Sequence, residues 1–148
     1  MNYVDLLNIL APCGLNCKKC LAYNDGEIKK CSSELKEHLG NFESFAKRFE
    51  SFNPVYENYP AFKEMLDVFS QGGCDGCRKG GCINKACNVT SCFKEKNVDF
   101  CFECNKFPCD NSGFDDNLKQ RWVKSNQRMK EVGVSQYYEE IKDLPRYV

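Results

Sequence analysis

Cysteine is the residue type that could do chemistry in this sequence. Twelve occur among 148 residues, about 8 % of the chain, at the edge of the range of disulfide or metal scaffolds. Eleven fall in two clusters. The first is Cys13-Gly-Leu-Asn-Cys17-Lys-Lys-Cys20; the second runs Cys74-Asp-Gly-Cys77, Cys82, Cys87, Cys92, Cys101-Phe-Glu-Cys104 and Cys109. Two residues between thiolates let the chain curl around one ion, with both sulfurs about 2.3 Å from zinc and backbone N–H groups turned toward them. Two such turns separated by about two dozen residues are a strong zinc signal, because a tetrahedral site is commonly closed by two Cys-x2-Cys knuckles. The eight cysteines of the second cluster would fill two sites. Cys74 and Cys77 can close with Cys82 and Cys87, leaving Cys92, Cys101, Cys104 and Cys109 together, or the knuckles can cross over. Local pairing closes shorter loops and is the expected arrangement.

The x3, x2 spacing of the first cluster also matches the three cysteines with which radical S-adenosylmethionine enzymes hold a four-iron cluster. Those enzymes need a partial barrel of alternating strands and helices, for which this chain has neither the length nor the strand signals. Cys13, Cys17 and Cys20 still need a fourth partner: Cys31, a cysteine of the second cluster, a carboxylate such as Asp25, or the open position of a reactive metal. Iron-sulfur or thiol redox chemistry is the alternative reading of the same cysteines. The usual ferredoxin run ending in Cys-Pro is missing, however, and Phe107-Pro108-Cys109 puts proline on the other side.

The remaining chemistry is sparse. His38 is the one histidine, which excludes imidazole-rich zinc sites and leaves a single possible base, expected on a solvated helix face. Asp115-Asp116 and Glu139-Glu140 read as a helix N-terminus and a solvated face, and there is no phosphate loop or dinucleotide fingerprint. No catalytic residue is expected. Lys plus Arg and Asp plus Glu are each 21, so no global field draws the chain to nucleic acid or membrane. Arg121, Lys124 and Arg128 form the one local basic face, read as solvated and balanced by nearby acids. A macromolecular partner, if there is one, is unidentified. The first ten residues lack a basic start, are broken by Asp5 and Asn8 and precede no cleavage site; no 18-residue apolar run occurs. A cytoplasmic protein with reduced thiols, acting as ligands rather than bridges, is expected.

The elements that must position these cysteines follow from the apolar pattern. The expected fold is mainly α with little β, one domain over 1–148 with a loop-rich, metal-stapled, zinc-ribbon-like centre. Its parts are the first cluster (1–24), a helical insert (25–73), the second cluster (74–109) and C-terminal helices (110–148). The insert reads as three helices. Ile28, Cys31, Leu35 and Leu39 recur at helical spacing before Gly40, with Cys31 as a buried structural thiol. Phe42, Phe45, Ala46, Phe49 and Phe52 follow Asn41 as N-cap, and Phe62, Met65, Leu66 and Phe69 precede Gly72-Gly73; mutual core packing of these stripes is expected. In 74–109, the glycines at its front and eight cysteines leave too little apolar material for a core, so metal must hold it. The tail reads as a helix capped by Asp115 or Asp116, carrying Leu118, Trp122 and Met129 and stopped at Gly133, then a short helix from Ser135 using Tyr138 and Ile141 and ending before Pro145.

Three unlike signatures in this order resemble a known family: Ala-Pro-Cys13-Gly14-Leu15-Asn-Cys17-Lys-Lys-Cys20-Leu-Ala-Tyr23, Gly73-Cys74-Asp-Gly76-Cys77-Arg78, and the run from Cys92 through Cys101-Phe-Glu103-Cys104 to Phe107-Pro108-Cys109. The chain is similar to the Cys-rich bacterial and archaeal family catalogued as domain of unknown function number 3795, with Arg121-Trp122, Gly133 and Pro145-Arg146-Tyr147 similar too. The resemblance implies a soluble cytoplasmic protein without an established activity. It implies zinc ligands at Cys13, Cys17, Cys20, Cys74, Cys77, Cys101, Cys104 and Cys109, with Cys82, Cys87 and Cys92 beside them. Residues 25–60 look less standard for the family, and Cys31 has no clear counterpart.

Overall fold

The structure is a computed structural model that describes residues 1–147. Among the described residues it is mainly helical: α1 (Tyr3–Ile9), α2 (Glu27–Leu39), α3 (Glu43–Phe49), α4 (Tyr59–Gln71), α5 (Val89–Glu95), α6 (Asp116–Val132) and α7 (Val134–Ile141). Strand pairing is reduced to one bridge, Leu10 to Asn16. Among the described residues, no helix is long and apolar enough to cross a membrane. The chain divides into two compact units, Met1–Cys20 together with the chain from Cys74 onward, and Leu21–Gly73.

The unit Leu21–Gly73 holds α2, α3 and α4. Gly26 and Gly40 bound α2 and Gly72 ends α4, as the breakers in the sequence require. At Gly72 (φ +73°) a Cβ would lie 2.6 Å from Asn24 Oδ1, the oxygen that accepts the Gly73 N–H at 2.8 Å, so a side chain would displace the contact that closes the unit. The core is a ring cluster: Phe42 meets Phe49 at 5.3 Å and Tyr59 at 4.9 Å between centroids, and Tyr56 closes on Phe49 at 5.5 Å.

Three expectations for this unit are corrected. Cys31 is exposed rather than buried. The face of α2 that turns inward carries Ser32, a small residue that lets α2 approach α4, where Lys36 bonds Asp67 at 2.7 Å; Cys31 lies one residue, about 100°, round the helix. The phenylalanine stripes are only partly buried: Phe45, Phe52 and Phe62 are exposed. Buried Tyr59 and Leu66, seven residues apart, set the inward face of α4 and leave Met65 outside. The cap of α3 is Phe42 rather than Asn41.

In the other unit, α1, α6 and α7 enclose a core of Ile9, Leu10, Phe100, Met129 and Tyr137. A second buried group contains Ala11, Cys13, Cys17, Val89 and Trp122. Asp115 caps α6 by accepting the Leu118 N–H at 2.9 Å, and Gly133 separates α6 from α7. The segment 74–109 does contribute to these cores, against expectation: it forms α5, and its Val89 and Phe100 are buried. These two apolar residues rest on helices outside their own segment, a long-range arrangement that local composition does not reveal. Asn126, wholly buried on α6, donates from Nδ2 to the Cys13 and Trp122 carbonyls and accepts the Phe102 N–H on Oδ1, each at 3.0 Å. Its amide thereby ties the Cys13 loop and the Cys101–Glu103 turn to one helix.

Candidate metal centre

Local backbone preferences build the knuckles. Cys17–Lys19 and Cys101–Glu103 are single 3-10 turns, each closed by the second cysteine's N–H onto the first one's carbonyl: Cys20 to Cys17 at 2.9 Å and Cys104 to Cys101 at 3.1 Å. Asn16 starts the first turn by accepting the Lys18 N–H at 3.0 Å. Glu103 starts the second by accepting the Asp99 and Phe100 N–H groups at 2.8 and 3.3 Å. The Cys101 N–H donates to the Pro12 carbonyl at 3.0 Å, which ties the first cysteine loop to the last knuckle. Beside Cys87, the backbone of Asn88 donates to Ser112 at 3.0 Å, and a Cβ on Gly113 (φ +71°) would lie 1.8 Å from the Ala86 carbonyl oxygen. Only glycine fits that crossing.

The eleven clustered cysteines all lie within one compact unit. Cys92, Cys101, Cys104 and Cys109, with Phe107 and Trp122, line a cavity of about 30 Å³, room for a body of water-molecule size. Cys101 responds to the charges of Cys92, Cys109 and Cys104. The other seven interact among themselves, and Cys13 also feels Cys101. The Cys77 thiol donates to Cys17, which lowers the Cys17 pKa and raises that of Cys77, so the pair shares one proton. Cys77 also feels Cys13 and Cys82; Cys74 feels Cys17, Cys20 and Cys82; the Cys87 thiol bonds Cys82. Cys31 and Asp25 belong to the other unit.

Among the described residues, no three Cys, His, Asp or Glu side chains stand in an arrangement that could hold a metal ion. The donor chemistry around the sulfurs nevertheless fits a thiolate-bound ion. Backbone N–H groups turn onto the sulfurs from Leu15 to Cys13, Cys77 to Cys17, Gly76 to Cys74 (3.3 Å), and Val89 and Thr90 to Cys87. Three of these come from the residue two positions on, the donor pattern that favours a charged sulfur in a knuckle. Two buried side-chain nitrogens lack a hydrogen-bond partner by strict geometry, Trp122 Nε1 and Arg78 Nη2. The indole faces Cys101 and favours its thiolate, though burial outweighs it and pushes that thiol up to about 11. The Arg78 guanidinium acts on Cys17 and Cys13; its Nε donates to the Leu7 and Leu10 carbonyls at 2.9 and 3.1 Å, and Phe100 lies 4.9 Å below. Arg146 donates to the Asn16 carbonyl at 2.6 Å and acts on Cys20, Cys13 and Cys17. Cys13 itself is wholly buried, and that burial pushes its thiol up to about 12.

Arg146, Trp122 and Asn126 were not legible in the sequence as parts of the site, since each lies outside the cysteine motifs and reads there as ordinary tail or helix. Of the basic face, Arg121 donates to the Arg146 carbonyl at 2.6 Å and Arg128 pairs with Glu140 at 2.6 Å, while Lys124 and Arg128 are both exposed. His38 is exposed on α2.

Helices that frame cysteine-only turns define a small, Cys-rich, mainly helical class of protein. The chain belongs to the family described as protein of unknown function DUF3795, which matches residues 9–113, more than half of the sequence and all twelve cysteines. The tail features at Arg121-Trp122, Gly133 and Pro145-Arg146-Tyr147 lie beyond that match. No curated protein and no solved structure shows a significant match to the chain.

Proposed function

We propose that this is a non-catalytic zinc-binding protein of a reducing, cytoplasmic setting, whose Cys thiolates hold zinc as the structural staple of a loop-rich centre. The ligands are drawn from Cys13, Cys17, Cys20, Cys74, Cys77, Cys82, Cys87, Cys92, Cys101, Cys104 and Cys109. The observation that carries this reading is the set of N–H donors turned on the sulfurs, including the Trp122 indole that faces Cys101. A buried donor left without an acceptor costs about 1–3 kcal/mol, and a thiolate held by a metal is an acceptor that removes the penalty. Zinc would supply charge neutralisation and a fixed tetrahedral geometry.

Metal analysis of protein purified without oxygen tests the reading. Colourless protein carrying zinc is expected. Brown protein with iron and absorbance near about 400 nm would replace it with the iron-sulfur alternative.

A further inference from the structure

Between the first cysteine loop, α6 and α7 lies a cavity of about 710 Å³ that the zinc reading does not use. It falls in the size range of small-molecule sites, roughly 300–1,000 Å³. Its walls belong to one compact unit and are pinned by specific contacts. Gly14 (φ +86°) brings the loop so close to α6 that a Cβ would lie 2.8 Å from Met129 Cε and 3.1 Å from Ser125 Cβ. From α7, the buried Tyr137 hydroxyl donates to the Gly14 carbonyl at 3.0 Å. Three cations clip the tail beyond α7 to the loop and to α6: Lys19 to the Leu144 carbonyl at 2.5 Å, Arg121 to the Arg146 carbonyl at 2.6 Å, and Arg146 to the Asn16 carbonyl at 2.6 Å.

Charge in this lining is sorted along α6. Arg128 meets Glu140 at 2.6 Å and Glu131 at 3.4 Å, so both carboxylates of the cavity are engaged at that end. Arg121 and Lys124 stand about 6–10 Å nearer the start of the helix, at 1.5 Å per residue. Among the described residues, neither pairs with a carboxylate. The bond to Arg146 takes one of the five N–H groups of Arg121 and leaves the rest of its fork. Leu15, Ile141 and Leu144 add apolar surface to the same cavity.

We propose that this cavity binds a small organic phosphate monoester, its phosphoryl group held by Arg121 and Lys124 and its apolar body laid on Leu15, Ile141 and Leu144. A monoester carries close to two negative charges near neutral pH, which these two cations match; a carboxylate or a diester would leave one of them unmet. The arginine fork can take two phosphate oxygens at once, with lysine as a point charge beside it. Arg146 also faces Cys20, so its charge is shared with the cysteine loop. The carboxylates around Arg128 repel an anion from the other end and so set the direction in which the ligand lies. The site is independent of which metal the cysteines hold.

Titration of the isotope-labelled full chain, purified under reducing conditions, with phenyl phosphate tests this by amide NMR. Saturable shifts at Leu15, Lys124 and Ile141 are expected. Inorganic phosphate, which lacks the apolar body, and benzoate, which lacks the second charge, should each bind about tenfold more weakly, the scale of one lost contact of this kind. Lys124 is exposed, so Lys124→Glu should keep the fold and weaken phenyl phosphate by at least about tenfold. Lys130→Glu, the same charge change on α6 outside the lining, should leave binding unchanged. No saturable shifts, shifts confined to residues outside the cavity, equal losses in the two variants, or benzoate or inorganic phosphate binding as tightly as phenyl phosphate would each overturn the proposal. None of these outcomes bears on the zinc reading, which metal content decides.

Discussion

The two compact units solve the stability problem with different materials. Leu21–Gly73 is closed by aromatic rings, by an ion-pair group in which Lys36 and Lys63 meet Asp67, and by glycine stops, and its one cysteine is exposed. The unit that carries Cys74–Cys109 has glycine-rich loops whose polar backbone turns toward sulfur. A helix pair can bury its own backbone through i to i+4 hydrogen bonds, whereas a run of knuckles cannot, so under the zinc proposal the order that Val89 and Phe100 do not supply would come from the metal on the sulfurs. One unit should therefore tolerate loss of metal and the other should not.

The largest test of that contrast is chelation of the reduced protein. Structural zinc in small sites is worth about 10–16 kcal/mol, so amide protection across 74–109 should vanish while α2 and α4 keep theirs; protection persisting in 74–109 would break the comparison. The pH response sharpens it. In the zinc-loaded protein the folded sulfurs carry no protons and the unfolded ones do, so stability falls as pH falls below the free-thiol range of about 8.5. Urea titrations of the loaded protein from about pH 9 down to about pH 6 should show that slope, whereas the melting of Leu21–Gly73 should not follow it.

Next in size, Phe42→Ala should cost about 2–3 kcal/mol, below the full core value because the ring is half-buried. It should lower the melting of Leu21–Gly73 without changing metal content. Trp122→Phe keeps the ring contacts with Phe107 and Phe114 but removes the indole donor. It should weaken zinc at the four-cysteine group about tenfold, the scale of one hydrogen bond to a charged acceptor, as read by competition with a chromophoric chelator; unchanged affinity would mean the nitrogen serves packing alone. The smallest effect belongs to Cys31→Ser, expected within about 0.5 kcal/mol of wild type because the side chain is exposed. Alkylation of the native protein should modify Cys31 first.

The sequence made the helices of the insert legible because their breakers are local: Gly26, Gly40 and Gly72 stop helices wherever they stand. It also offered Cys92, Cys101, Cys104 and Cys109 as one of two possible groupings, and these four line one cavity. It did not reveal which way α2 faces, because Ser32 and Cys31 are both small and the inward choice is made by α4. Nor did it reveal α5 or the burial of Phe100, whose partners on α1, α6 and α7 are distant in the chain. The guanidinium of Arg146 reaches the first cluster from more than 120 residues away in sequence, so no spacing rule could have placed it there.

The buried amide of Asn126 fixes how the two cysteine loops are held. Its nitrogen serves two carbonyls and its oxygen one N–H, so the two ends of the amide cannot be exchanged. Aspartate at this position would present oxygen to the Cys13 carbonyl, leucine would leave three backbone groups unmatched, and glutamine would overshoot by a methylene. Position 126 lies outside the stretch matched by the family, yet it is one of two joints at which the two cysteine loops meet. Without that amide, the Cys101 N–H on the Pro12 carbonyl would be left to hold the first cysteine loop against the last knuckle.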